Sequence, residues 1–105
     1  MKNDESDVPQ LQLGSITLDA SRHVVSLRGR RVQLGQRETD VMRVLIEAGG
    51  RPVDARAIFQ RSWGCEPGAK VARVRGVIGR LRVKLRAAEL IETIGREGYR
   101  IVAGR

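Results

Sequence analysis

The residues with the most chemistry to offer are cations crowded onto one segment. Lys70, Arg73, Arg75, Arg80, Arg82, Lys84 and Arg86 follow one another with no Asp or Glu between them. The whole chain holds 20 Lys+Arg against 12 Asp+Glu, a formal net charge of +8, and this one segment concentrates most of it. Such a local field attracts a polyanion. Apolar residues recur among the cations at helical spacing. On a wheel of about 100° per residue, Val74, Ile78, Leu81 and Leu85 form a narrow stripe that must face a core. Arg73, Arg80 and Lys84 flank it on one side, and Arg75, Arg82 and Arg86 on the other. Opposite the core lies a strip of small side chains, Ala72, Gly76 and Gly79, continued by Val83. A major groove about 12 Å wide admits a helix. In such a groove the two cationic rows would reach the phosphate backbones while the small strip would approach the base edges. The bland alternative is a solvated helix whose arginines only keep the protein soluble. Helices of that kind mix signs and gain i,i+4 pairs, whereas this one contains no acid. Gly76 and Gly79 each cost roughly 1 kcal/mol against alanine inside a helix. Close approach to DNA explains that cost, and so does close packing against another protein.

Other chemistry is scarce. One cysteine, Cys65, excludes an internal disulfide and a cysteine-based metal cluster. One histidine, His23, removes most acid–base and metal chemistry. No catalytic triad, metal-ligand set or phosphate loop is present, so neither an enzyme nor a cofactor or metal is expected. Phe59, Trp63 and Tyr99 are the only aromatics, which disfavours RNA, whose bases need stacking platforms. No stretch reaches the roughly 18 apolar residues of a membrane span, and no signal peptide opens the chain. The expectation is a cytoplasmic, nucleoid-associated domain with no membrane partner.

The elements that must position the basic segment can be read from periodicity. The chain has 105 residues, the size of one domain. Residues 1–10 are polar and acidic and read as a disordered leader; residues 11–105 read as the domain. Ile16 and Leu18, Val25 and Leu27, and Val32 and Leu34 alternate with polar residues, as a small antiparallel sheet requires, with a tight turn at Arg28-Gly29-Arg30. Gln36 to Ala48 is a helix through Val41, Leu45 and Ala48, stopped by Gly49-Gly50. Arg51-Pro52-Val53 is extended. Asp54 is an N-cap candidate for a second helix from Ala55 to Trp63, with Ala55, Ile58, Phe59 and Ser62 inward. Gly64 to Ala69 is a loop. The third helix is predicted over 70–88. A hairpin follows, with strands Ile91–Ile94 and Tyr99–Val102 around the turn Gly95-Arg96-Glu97-Gly98.

At this point particular residues carry a resemblance. Ser62-Trp63-Gly64, the run Arg80-Leu81-Arg82-Val83-Lys84-Leu85 and the closing Glu97-Gly98-Tyr99-Arg100 resemble the OmpR/PhoB-type winged-helix DNA-binding domain. That domain is the effector half of many bacterial response regulators. The resemblance covers about residues 12–102, and the order and spacing of the motifs are more specific than any one of them. It implies an α+β winged helix-turn-helix: an N-terminal antiparallel sheet of four strands, three helices and a C-terminal β-hairpin wing. It implies that the third helix enters the major groove and that the hairpin 91–102 reaches the minor groove. Carried over by position, Arg73, Arg75, Gly76, Val77, Gly79 and Arg80 stand at or beside the groove, and Lys84 lies near phosphate. Thr93, Arg96 and Tyr99 belong to the wing. The resemblance further implies contact with RNA polymerase through the loop 64–69 and a head-to-tail dimer on DNA. From the length of the chain, no receiver domain is expected ahead of it. If the chain is whole, constitutive action, or control by abundance or by a partner, is expected in place of phosphorylation in cis.

Two departures bear on reading. Relatives commonly have an acidic residue, a valine and a polar or basic residue where this chain has Arg75, Gly76 and Gly79. The arginine–glycine pair of the wing is reversed here as Gly95-Arg96. Base-reading side chains are fewer and positive charge is greater, so phosphate contacts are expected to carry more of the binding. Arg80 is the foremost base-reading candidate, because arginine donates two bonds to guanine O6 and N7; a phosphate contact is the other reading. Arg73 and Val77 are further candidates for base reading. Arg75, Arg82 and Lys84, with Arg73 in its alternative role, are expected on phosphates. Trp63 and Tyr99 are expected mainly in packing, with a hydroxyl–phosphate bond open to Tyr99. Cys65 beside Glu66 lacks the surroundings of a reactive thiol, and His23 is expected at the surface without a role.

Three functions compete. The first is a double-stranded DNA-binding transcriptional regulator. The second is a nucleoid-type DNA binder of low specificity. The third is a winged-helix protein-interaction module contacting the transcription machinery.

Overall fold

The computed structural model describes residues 10–64 and 70–102. Residues 1–9 of the expected leader (1–10), Cys65 and the rest of the loop 65–69, and residues 103–105 of the expected domain therefore lie outside the described residues. Gln10, expected to close the leader, instead opens the first strand.

Four short strands come first: β1 (Gln10–Leu13), β2 (Ile16–Asp19), β3 (Val24–Leu27) and β4 (Arg30–Gln33). They pair in sequence order as one antiparallel sheet. Ile16 and Leu18 of β2 and Val25 and Leu27 of β3 are buried, with Thr17 and Ser26 turned to the other face. The register Ile16↔Leu27 and Leu18↔Val25 keeps the apolar pairs together on one side. The β3–β4 link is a two-residue turn, with Arg28 at φ +52 and Gly29 at φ +79. Positive φ at both positions is what the right-handed twist of a tight hairpin demands.

Three helices follow: α1 (Gln36–Glu47), α2 (Ala55–Trp63) and α3 (Val71–Leu85). Val41, Met42 and Leu45 of α1, Ile58 and Phe59 of α2, and Val74, Ile78, Leu81 and Leu85 of α3 meet in one core. The capping role expected of Asp54 is realised: its carboxylate accepts from the Arg56 N–H at 2.8 Å. Trp63 stacks on Phe59 with ring centroids 5.0 Å apart. α3 ends at Leu85, short of the predicted Ala88. Arg86 takes the left-handed conformation at φ +54 and returns its N–H to the Val83 carbonyl, so the helical ladder stops there. A single 3-10 turn, Ala88–Leu90, leads into the hairpin.

The hairpin strands, β6 (Ile91–Ile94) and β7 (Gly98–Ile101), form a second sheet with a short strand, β5 (Val53–Asp54), in the order β5-β7-β6. The extended stretch before α2 is thus the third strand of the wing sheet, joined through Val53↔Tyr99. Gly98 is obligatory, because a Cβ there would stand 2.8 Å from the Ile94 carbonyl oxygen. No helix among the described residues is long and apolar enough to cross a membrane.

Candidate nucleic-acid interface

α3 turns its apolar stripe inward, so its back faces outward. Ala72, Arg73, Arg75, Gly76, Gly79 and Arg80 are exposed, and Val83 is 76% exposed. Arg75, Gly76, Gly79, Arg80, Val83 and Lys84 line a shallow recess of about 430 Å³. Among the described residues, nothing requires the two glycines. A Cβ on Gly79 would meet nothing within 4 Å, and one on Gly76 would meet only Arg80 Nη1 at 3.8 Å. Their missing side chains serve no internal packing. They leave bare backbone on the outward face of α3, which is rimmed by cations.

The two cationic rows are not solitary, as the acid-free segment suggested. Each is tied to a neighbouring element. On the α1 side, Lys84 Nζ donates to Glu38 Oε1 at 2.7 Å and Arg80 Nε lies 3.4 Å from Glu38 Oε2. On the wing side, Arg82 aims its fork at β6: Nε and one terminal nitrogen donate to the Ile91 carbonyl at 3.1 and 2.6 Å, and the same terminal nitrogen donates to Thr93 Oγ1 at 3.1 Å. Arg75 stands 3.8 Å from Glu97 at the turn of the hairpin. Arg82 is therefore a strut that fixes α3 against the wing, rather than a side chain pointing into open solvent.

A third tie comes from the N-terminal sheet. The Arg30 guanidinium donates to the carbonyl of Leu85, the last residue of α3. That carbonyl has no partner within the helix, and a cation there also complements the helix dipole. Arg28, on the same hairpin tip, pairs with Glu89 at 3.3 Å.

Glu38 is the acid at the centre of the α1 side. Its side chain is 6% exposed. Burial pushes its carboxyl up. The Gly35 N–H at 2.8 Å, the Lys84 ammonium and the Arg80 guanidinium together outweigh burial and hold it below its ordinary value. Its place at the third position of α1 is that of a capping glutamate, bonded back to the Gly35 N–H. Thr39, next to it, donates its hydroxyl to the Gly35 carbonyl at 2.9 Å and lies 3.0 Å from His23 Nδ1. His23 is thus half-buried and bonded, not an idle surface residue; with the hydroxyl donating to Gly35, the ring nitrogen is the donor to Thr39.

Two expected contact residues belong to the core. Val77 is 1% exposed. It falls beside the apolar stripe rather than opposite it, and the packed helices close that side. Tyr99 is 4% exposed, held between β5 and β6 in the wing sheet, so its ring packs as expected but is withdrawn from the surface. Thr93 and Arg96 are exposed on the hairpin, Arg96 following Gly95 at φ +64 in the turn.

Periodicity along α3 could not find Glu38, Glu97, Arg28 or Arg30, because each acts across a tertiary contact. Only the spacing from Gly35 to Glu38 carried a local signal, and that signal concerned capping.

A four-stranded sheet, three helices and a hairpin seated beside a cationic third helix define a winged helix-turn-helix domain of the OmpR/PhoB type. The chain belongs to the family described as "Transcriptional regulatory protein, C terminal", which matches residues 29–101. It is 35% identical over 95 residues to the transcriptional regulatory protein CutR of Streptomyces coelicolor, covering 89% of this chain and 43% of that protein. It is 32% identical over 94 residues to the response regulator protein PmrA of Pseudomonas aeruginosa, covering 90% of this chain and 42% of that protein. The chain therefore spans less than half the length of these relatives. Among solved structures, it resembles the Klebsiella pneumoniae RstA DNA-binding domain in complex with the RstA box, at a TM-score of 0.75 and 27% identity, covering 91% of this chain and 98% of that one. The DNA-binding domain of CpxR from E. coli shares the fold at a TM-score of 0.75 and 22% identity, covering 92% of this chain and 99% of that one. The family is one of DNA-binding transcription regulators, and this chain is a domain of that kind.

Proposed function

We propose that this domain regulates transcription by laying α3 along the major groove of double-stranded DNA and turning the hairpin wing toward the adjacent minor groove. The observation that carries this reading is the back of α3. Bare backbone at Gly76 and Gly79, needed by nothing inside the fold, is flanked by the exposed side chains of Arg73, Arg75, Arg80 and Lys84. Arg80 supplies base reading, and Arg73, Arg75 and Lys84 reach phosphates. Arg82 holds the wing, and its other terminal nitrogen supplies N–H groups for a phosphate. Thr93 accepts from Arg82, which leaves its hydroxyl proton for a phosphate oxygen. Arg96 enters the minor groove, where a narrow groove attracts arginine electrostatically. The domain works in the cytoplasm on the nucleoid. Contact with RNA polymerase through residues 64–69 and head-to-tail pairing on direct repeats complete the proposal.

Fluorescence anisotropy with labelled duplexes at rising salt tests it. With about six phosphates engaged, log affinity falls against log salt with a slope near −5. A flat salt dependence contradicts it. The bareness of the strip favours a second reading, a nucleoid-type binder with little sequence preference. Competition between a selected site and random duplex separates the two, since a ratio near one supports the second. An absence of binding at low salt favours a protein-interaction module instead.

A further inference from the structure

Arg80 pairs with a buried acid while most of its own side chain stays exposed. Its side chain is 60% exposed, yet its Nε lies 3.4 Å from Glu38 Oε2. Its Nη1 lies 3.8 Å from the point where a Cβ on Gly76 would stand. The guanidinium therefore lies back along the helix, over space that the glycine leaves vacant.

The carboxylate that holds it cannot follow it outward. Glu38 Oε1 accepts from the Gly35 N–H at 2.8 Å and from Lys84 Nζ at 2.7 Å, so backbone at the start of α1 and an ammonium at the end of α3 fix its position. A guanidinium presents five N–H donors in a rigid fork. Nε is the guanidinium nitrogen nearest Glu38, an ion-pair contact at 3.4 Å, so the two terminal nitrogens are the ones left for DNA. That pair has the geometry for the O6 and N7 acceptors of guanine. A free arginine at this site would lose side-chain freedom on meeting DNA and could settle on any nearby phosphate. The ion pair with Glu38 narrows that freedom before DNA arrives, which favours one aim over many.

We infer that Glu38 is a positioning residue for DNA recognition, which through its buried carboxylate aims Arg80 so that the arginine reads guanine at a single position of the bound site. This rests on the docking of α3 proposed above. The specificity of a face with few base-reading side chains then depends on a residue of α1 that touches no DNA. Lys84 takes part from the other side: it occupies Glu38 Oε1 and leaves Oε2 for Arg80.

The test is selection from a randomised duplex library by the full chain as wild type, Arg80→Ala and Glu38→Gln, followed by sequencing of the bound DNA. Far-UV circular dichroism and a thermal melt establish that each variant is folded. The wild type should enrich guanine at one position by roughly tenfold or more, the discrimination expected of a bidentate contact. Arg80→Ala should lose the preference at that position. Glu38→Gln should reduce the preference at that same position at least to about a third, keep it elsewhere, and bind random duplex no more weakly than the wild type. A merely structural role for Glu38 would lower all positions together. Should Glu38→Gln fail to fold, Glu38→Asp replaces it: the charge is kept but withdrawn from Nε by one methylene, and the same selective loss is expected. An Arg80-dependent guanine preference that survives the Glu38 substitution in full overturns the inference and leaves the DNA-binding function standing. A wild type that enriches no sequence overturns the inference together with the sequence-specific reading.

Discussion

Lys84 Nζ and Glu38 Oε1 stand 2.7 Å apart, so the last turn of α3 is ion-paired to the first turn of α1. The same carboxylate closes on the Gly35 N–H and leans toward Arg80. One buried acid thus serves helix capping, helix–helix packing and the electrostatics of the outward face.

Replacing that acid by its neutral isostere should cost stability only where the acid is charged. The Glu38 carboxyl is held below its ordinary value. A depressed carboxylate contributes stability at pH above its unfolded-state pKa and loses it as pH falls through the folded-state pKa. Glu38→Gln is therefore expected to be less stable than the wild type by about 1–3 kcal/mol at neutral pH, with the two proteins converging as pH drops below the carboxylate range. Urea melts across that window measure it. A gap independent of pH means that the charge of Glu38 contributes nothing.

The two glycines on the outward strip should behave unlike the glycine of the wing. Gly76→Ala and Gly79→Ala are each expected to stabilise the domain by roughly 1 kcal/mol, because the helix gains propensity while the methyl at 79 meets open space and the one at 76 makes only ordinary contact with Arg80 Nη1 at 3.8 Å. They should weaken duplex binding by bringing a methyl between backbone and groove. Gly98→Ala should destabilise, since its methyl meets the Ile94 carbonyl. Thermal melts and anisotropy together decide this. Unchanged DNA affinity in the double Gly76→Ala/Gly79→Ala variant removes close groove approach as the reason for the glycines.

Val77 and Arg73 lie on the same helix and should separate cleanly. Val77 is buried and Arg73 exposed. Val77→Ala is expected to lower stability by about 2 kcal/mol through lost burial and a small cavity, with little change in affinity once the protein is folded. Arg73→Ala should leave the melt within about 0.5 kcal/mol. It should weaken binding to all sequences alike and make the salt slope shallower by about 1. A reversed pattern would return Val77 to the interface.

Arg82 should read out in the wing. Its guanidinium reaches the Ile91 carbonyl and Thr93 Oγ1. Arg82→Ala is expected to cost about 1.5–3 kcal/mol, the range for hydrogen bonds to a charged group. It should also speed amide exchange along β6 and β7 more than in α1. Arg82→Lys should recover only part of this, because an ammonium lacks the fork. Exchange measured by NMR in the free domain tests it. Equal acceleration everywhere shows a global loss of stability rather than a freed wing.

The amino-acid sequence by itself determined the succession of β2 to β4, the three helices and the hairpin, and the inward stripe of α3. Both follow from short-range rules: alternation in β2 and β3, helical spacing from Val74 to Leu85, and the cap at Asp54. The sequence also located the positive face, since charge along one helix is additive and needs no partner to be counted. Tertiary structure decided what those charges touch. Glu38 lies far from Lys84 in sequence, Arg30 far from Leu85, and Val53 far from Tyr99, and only the packed core brings each pair together. Tertiary structure also withdrew Val77 and Tyr99 from the surface, because whether a residue beside an apolar stripe is covered depends on what packs against that flank. Finally, it gave Arg82 a structural bond. Helical periodicity states the direction in which a side chain leaves its helix, whereas its partners are set by the elements that the core places within reach.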